Sequence, residues 1–170
     1  MTVKTDGEIA VIVDAGSGLS ASLARACAAA GMKVALAARR TDKLQALATE
    51  TRAAVHACDA SQPGPVKALF DTVARDLGTP DLVVFNAGYR TRGPFLDLDA
   101  AEVQKTLTIS AYGGFLVAQA AAKLMVPKGE GSIFFTGASA SVKGYAQSAP
   151  FAMAKFALRG LAQSMARELH

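Results

Sequence analysis

The chain has 170 residues, of which 51% are hydrophobic and 19% charged, enough apolar material for one well-packed domain over 1–170 and too much for a disordered chain. Its net charge of +4 comes from scattered Lys and Arg, and 6% aromatics with no Trp offer no platform for stacking bases, so nucleic acid is not an expected partner. Cys27 and Cys58 have no metal-site or redox spacing, and no metal is expected. Met1–Asp6 lack the apolar stretch of a leader, and the apolar segment 111–126 is short for a membrane span and broken by Gly113, Gly114 and Lys123. A cytoplasmic protein acting on a small molecule is the expectation.

Strands and helices alternate along the whole chain. Ile9–Val13 reads as a buried strand, followed by a glycine turn and a helix over Leu19–Ala30 that Gly31 closes. Lys33–Ala38 is a second strand. Thr41–Thr51 is a helix with Thr41 as its N-cap, and Ala54–Cys58 a short third strand. Pro65–Leu77 is helical, with Val66, Leu69, Phe70 and Val73 at core spacing, and Gly78-Thr79-Pro80 stops it. Asp81–Phe85 is a continuously apolar fourth strand after its first residue. A long helix over Ala100–Leu124, a fifth strand over Gly131–Thr136 and a last helix over Ala149–Leu169 complete the order. Continuously apolar strands separated by helices predict an α/β fold: a Rossmann-type three-layer α/β/α sandwich on a parallel sheet.

The turn Asp14-Ala15-Gly16-Ser17-Gly18-Leu19-Ser20 joins the first strand to the first helix. Glycines there let backbone N–H groups approach a pyrophosphate at the helix N-terminus. Gly16, Ser17, Gly18 and Leu19 are therefore candidate cofactor-binding residues; the alternative is a tight βα turn without a ligand. Asp14 stands where a small neutral residue is expected, and it either repels a diphosphate or points away and hydrogen-bonds the turn, which is the expectation. Ser20 replaces a further glycine, and its hydroxyl could donate to a phosphate oxygen. The second strand ends in Arg39-Arg40 with no acid over 37–40. An acid there accepts from a ribose 2′-hydroxyl, whereas an arginine accommodates a 2′-phosphate, so NADP is expected over NAD; the alternative is two solvated arginines. Asp59, with Ala60 after it, is placed to accept from an adenine amino group or to begin an Asx turn before Ser61.

Together these residues resemble the short-chain dehydrogenase/reductase family over essentially the whole chain. Gly16 and Gly18 match two positions of that family's glycine motif, Asp59 its adenine-contacting acid, and Asn86-Ala87-Gly88 the motif that stabilises the central sheet beneath the nicotinamide. Lys155 matches its active-site lysine, which holds the cofactor ribose and lowers the pKa of a tyrosine four residues before it. The resemblance implies an Asn-Ser-Tyr-Lys tetrad, which falls here on Ser110, Ala138, Phe151 and Lys155. Phe151 has no hydroxyl, so the usual proton donor is missing, and the chain looks like an atypical branch with Phe in place of the tyrosine. A one-residue shift gives the serine's role to Ser139. Tyr145 could reach the site from its loop, or pack against the sheet end. Lys155 acting through water is a third source of the proton.

The resemblance further implies an NADP-dependent oxidoreductase acting on a carbonyl or hydroxyl group or an activated double bond, assembled as a homodimer or homotetramer through its fourth and fifth helices. The competing expectation is a catalytically silent nucleotide-binding or dimerisation module of the same fold. Relatives continue with further strands and a substrate lid, so the chain is expected to be truncated after the fifth βα unit.

Overall fold

The computed structural model describes residues 7–169; the reading of Met1–Asp6 as lacking a leader falls outside the described residues. Five strands form one parallel sheet: β1 (Ile9–Val13), β2 (Lys33–Ala38), β3 (Ala54–Ala57), β4 (Leu82–Phe85) and β5 (Ser132–Phe135), in the order β3-β2-β1-β4-β5. Six α-helices join and flank them: α1 (Leu19–Ala29), α2 (Gln45–Thr51), α3 (Pro63–Asp76), α4 (Ala100–Leu107), α5 (Gly113–Lys128) and α6 (Ala149–Glu168). The strand order reverses between β1 and β4, and a crevice opens at such a point outside the carboxyl ends of the strands.

The alternation of a strand places successive residues on opposite faces. In β1, Val11 and Val13 join Val83 and Phe85 in a core with Val66, Phe70, Val117 and Leu158 from α3, α5 and α6. Ala10 and Ile12 face the other way, packing with Leu36, Val84, Ala24, Cys27 and Leu47 from β2, β4, α1 and α2. All five residues of β1 are buried; each Val or Ile so covered contributes roughly 1.5–3 kcal/mol relative to exposure. The expected three-layer sandwich is therefore present. β5 lies at one edge of the sheet, with Phe134 exposed.

Several local expectations are corrected. Thr41 does not cap a helix; it opens a 3₁₀ turn, Thr41–Leu44, whose N-cap is Arg40 without a side-chain bond. α3 starts at Pro63, two residues before the expected Pro65, because proline is tolerated in a helix's first turn. The long helix over Ala100–Leu124 is not continuous: one π-helical turn, Thr108–Tyr112, separates α4 from α5, which runs on to Lys128. By length and composition alone the run 100–128 could cross a membrane, but its Val117, Ala118, Ala121 and Met125 are buried within the fold.

Candidate active site

The carboxyl ends of β1 and β4 carry the two motifs the sequence singles out, and the structure ties them together. The Asn86 N–H donates to the Val13 carbonyl at 3.1 Å, continuing the β1–β4 ladder by one residue. The Asn86 Nδ2 donates to Ser20 Oγ at 2.8 Å, and Ser20 Oγ donates to the Asp14 carbonyl at 3.2 Å. Ser20 is buried, so its hydroxyl is an internal strut and not the phosphate donor that the sequence suggests.

The turn itself is open. A Cβ built at Gly16 or Gly18 meets nothing within 4 Å. α1 begins after Gly18 with no side-chain cap and no acid in its first turn, so the positive end of the helix faces an unobstructed turn, as an anionic diphosphate requires. Ser17, Gly18 and Leu19 are exposed there.

Asp14 has φ 61°, in the left-handed region that glycine adopts freely and aspartate tolerates. The expectation that its side chain turns away is not met: the backbone carbonyl takes the bond from Ser20, while the carboxyl lines a small pocket with Arg39, Asp59, Ala60, Gly88 and Tyr89. Burial pushes the Asp14 carboxyl above the usual aspartate range, against the pull of Arg39 and with the added push of Asp59.

Of the two arginines, only Arg39 lines this pocket. Arg40 turns outward and pairs with Asp42 at 3.1 Å on the surface, apart from the pocket that Arg39 lines. Asp59 forms the Asx turn: Oδ1 accepts from the Ser61 N–H at 3.0 Å and from Ser61 Oγ at 2.6 Å. The hydroxyl bond from Ser61 is the main reason its carboxyl lies below the usual range. Asp59 still lines the pocket beside Arg39.

On the far side of β4, Lys155 is buried on α6, and its Nζ donates to the Thr136 carbonyl at the end of β5 at 2.6 Å. Burial pushes its pKa down. The Nζ lies 5.7 Å from the ring centroid of Phe151, one turn earlier on the same helix. Ala138 sits at the start of a 3₁₀ turn, Ser139–Ser141, where its N–H is held by Ser141 Oγ at 3.1 Å. Ser141 is thus structural. Ser139 is exposed and hydrogen-bonds the Tyr145 hydroxyl, which together with Lys143 lowers the Tyr145 pKa. Tyr145 does not pack against the sheet end; it is 44% exposed, with Lys143 Nζ 5.1 Å from its ring.

Ser110 lies in the π-helical turn and is fully buried. Its Oγ accepts from the Tyr89 N–H at 2.9 Å and reaches the Tyr89 carbonyl at 3.4 Å, so it holds the loop after β4 and does not face open space. A π turn displaces one residue out of the helical register, which brings this hydroxyl to the loop. The sequence reading missed the loop's other anchors. The Tyr89 hydroxyl donates to Glu102 Oε2 at 2.6 Å, and the Gly93 N–H donates to the Gln147 carbonyl at 3.2 Å. Arg90, also unforeseen, has its guanidinium 5.0 Å from the Phe151 ring centroid. Nothing in the residues around Arg90 marks it, although it directly follows Asn86-Ala87-Gly88-Tyr89.

Residues 14–170 match the family model described as enoyl-(acyl carrier protein) reductase. Among curated proteins, D-threitol dehydrogenase of Mycolicibacterium smegmatis is 31% identical over 97% of this chain, and the chain spans 65% of that relative's length. Among solved structures, an NAD⁺-bound xylitol dehydrogenase superposes with a TM-score of 0.94 at 28% identity, over 98% of this chain and 66% of its own. A gluconate 5-dehydrogenase from Burkholderia cenocepacia, in complex with NADP and tartrate, superposes with a TM-score of 0.91 at 29% identity, over 97% of this chain and 67% of its own. With this fold, these motifs and these matches, the chain belongs to the short-chain dehydrogenase/reductase family of oxidoreductases.

Proposed function

We propose that the protein is an NADP-dependent reductase of a carbonyl or activated double bond in an atypical branch of the family, with Phe151 in place of the usual tyrosine and a different proton donor. The observation that carries the reading is the pairing of an open, uncapped α1 turn at Gly16–Gly18 with a buried Lys155 beside the Phe151 ring. These residues fit a dinucleotide. Gly16, Ser17, Gly18 and Leu19 would take the diphosphate, Arg39 the 2′-phosphate, Asp59 and Ala60 the adenine side, Asn86–Gly88 the floor beneath the nicotinamide, and Lys155 a ribose. When bound, the nicotinamide supplies the hydride.

The remaining chemistry belongs to this chain. Tyr145 is the proton donor in this reading: Ser139 and Lys143 hold its hydroxyl and lower its pKa, which is what a general acid working near neutral pH needs. Ser139, whose single O–H is given to Tyr145, acts by holding that hydroxyl. Phe151 walls the substrate space, and Ser110 acts by positioning the loop at Tyr89. The silent-module alternative is not favoured by the match to oxidoreductases, in which NADP and NAD are both held by relatives. One domain over 1–170, a cytoplasmic location and a homodimer or homotetramer complete the proposal; the exposed Tyr112, Phe115, Met153 and Phe156 on α5, α6 and the π turn support the last.

The test is NADPH oxidation against a panel of aldehydes, diketones and enones with Tyr145→Phe beside the parent. Losing a positioned acid lowers turnover about 10²–10⁴-fold, and NADPH affinity should not change. Equal turnover by the two proteins would remove Tyr145 from the role.

A further inference from the structure

Arg90 is a charged side chain at the substrate end of the site, carried on an anchored loop, without an acid to answer it. The residues on either side of it are pinned. Tyr89 is held through its N–H by Ser110 Oγ at 2.9 Å and through its hydroxyl by Glu102 Oε2 at 2.6 Å, and Thr91 Oγ1 donates to the same Glu102 oxygen at 3.2 Å. The other oxygen of Glu102 accepts from Lys105 Nζ at 3.3 Å. Glu102, the acid that both neighbours of Arg90 contact, is therefore engaged by Tyr89, Thr91 and Lys105, and Asp99 is taken up capping α4 through the Ala101 and Glu102 N–H groups.

Arg90 extends the other way, across the ring of Phe151, with its guanidinium carbon 5.0 Å from the centroid. Among the described residues no carboxylate lies within ion-pair distance of it. The second cation at this ring, Lys155, already donates to the Thr136 carbonyl. Two positive groups thus flank one apolar ring, and Arg90 keeps its donors free. An exposed guanidinium on an aromatic face is held only weakly, whereas a guanidinium and a carboxylate form two parallel charge-assisted hydrogen bonds. A carboxylate arriving at this ring would take Arg90's fork without displacing any bond the chain makes.

Resting on the oxidoreductase reading above, we infer that the substrate carries a carboxylate, which Arg90 grips across Phe151 while the reducible group lies further into the site. The substrate class is an oxo acid, or the corresponding hydroxy acid in the reverse direction. One unpaired charge matches a carboxylate monoanion better than a phosphate dianion.

The probes are 2-oxopentanoate, 4-oxopentanoate and 5-oxohexanoate, each against its methyl ester, since the spacing of carbonyl and carboxylate is the variable. Binding to the intact protein is followed by ligand-observed NMR, with and without NADPH. At least one acid should bind about 10-fold more tightly than its ester. Arg90→Gln should abolish that preference and Arg90→Lys retain part of it. Arg92→Gln, which removes the same charge two residues away, should leave it intact. Equal binding of acid and ester for all three pairs, no binding of any, or a preference that survives Arg90→Gln overturns the inference. NADPH titration of Arg90→Gln separates the two claims: cofactor affinity equal to the parent's leaves the oxidoreductase reading standing whichever way the acid–ester comparison falls, and absent cofactor binding in both proteins defeats that reading alone.

Discussion

Asn86 Nδ2 and Ser20 Oγ lie 2.8 Å apart, so one hydrogen bond links the loop after β4 to the glycine turn after β1. Ser20 is buried and Asn86 half-buried, and Ser20 also donates to the Asp14 carbonyl. Ser20→Ala removes the acceptor and leaves the Asn86 amide short of a partner. The expected loss is about 1–3 kcal/mol of unfolding free energy, read from urea denaturation, with weaker NADPH binding because the turn is no longer braced. Unchanged stability would mean that the strut is replaced by water.

Asp14 couples stability to pH. Its carboxyl has a higher pKa in the fold than the ordinary 3.8, chiefly through burial. Ionisation is therefore harder in the folded chain, so this group's contribution is intact below about pH 4 and lost as pH rises through its raised folded pKa. Asn tolerates the same left-handed backbone and does not titrate. The Tm of Asp14→Asn should match the parent near pH 3.5 and exceed it at pH 7. The same change removes a negative charge from Arg39's pocket and should tighten NADPH binding by about fivefold, the equivalent of about 1 kcal/mol of repulsion at 4 Å in water.

Close packing of α5 depends on Gly113. A Cβ there would lie 2.9 Å from the Ala60 carbonyl oxygen and 3.5 Å from the Phe85 ring. The oxygen belongs to backbone next to Asp59 and has little freedom to move. Alanine gains roughly 1 kcal/mol in helix propensity, but overpacking costs about 1–3 kcal/mol. Gly113→Ala should be destabilised by about 1 kcal/mol, a shift readable by thermal denaturation.

Phe151→Tyr restores a hydroxyl on a ring whose centroid is 5.7 Å from Lys155 Nζ. With Tyr145 as the proton donor, Phe151→Tyr in a Tyr145→Phe background should recover turnover on a simple aldehyde or diketone, with about 10²–10⁴-fold as the ceiling set by general acid catalysis. No recovery with cofactor bound would show that the Lys155 side of the site cannot support a proton donor.

The strands were readable because each is a short apolar run, and burial on both faces enforces that pattern in β1, β2 and β4. The turn at Gly16–Gly18 was legible because it directly follows a strand and opens a helix, whereas Asn86-Ala87-Gly88 was legible only through the family resemblance. What escaped depends on contacts distant in sequence. The π turn at Ser110 exists to meet Tyr89, 21 residues earlier, and no local propensity encodes it. Arg39 and Arg40 look alike in the chain; the strand's end aims one at the pocket and leaves the other to Asp42. Asp14 stands where a small residue was expected, and its left-handed backbone, φ 61°, is not legible in the residue name.

The most direct test of the account is a fluorescence titration of the intact protein with NADPH and, in parallel, NADH. Saturable binding that favours NADPH, with the preference lost in Arg39→Gln and retained in Arg40→Gln, is the predicted result. Binding of neither nucleotide by protein that circular dichroism shows to be folded would contradict it.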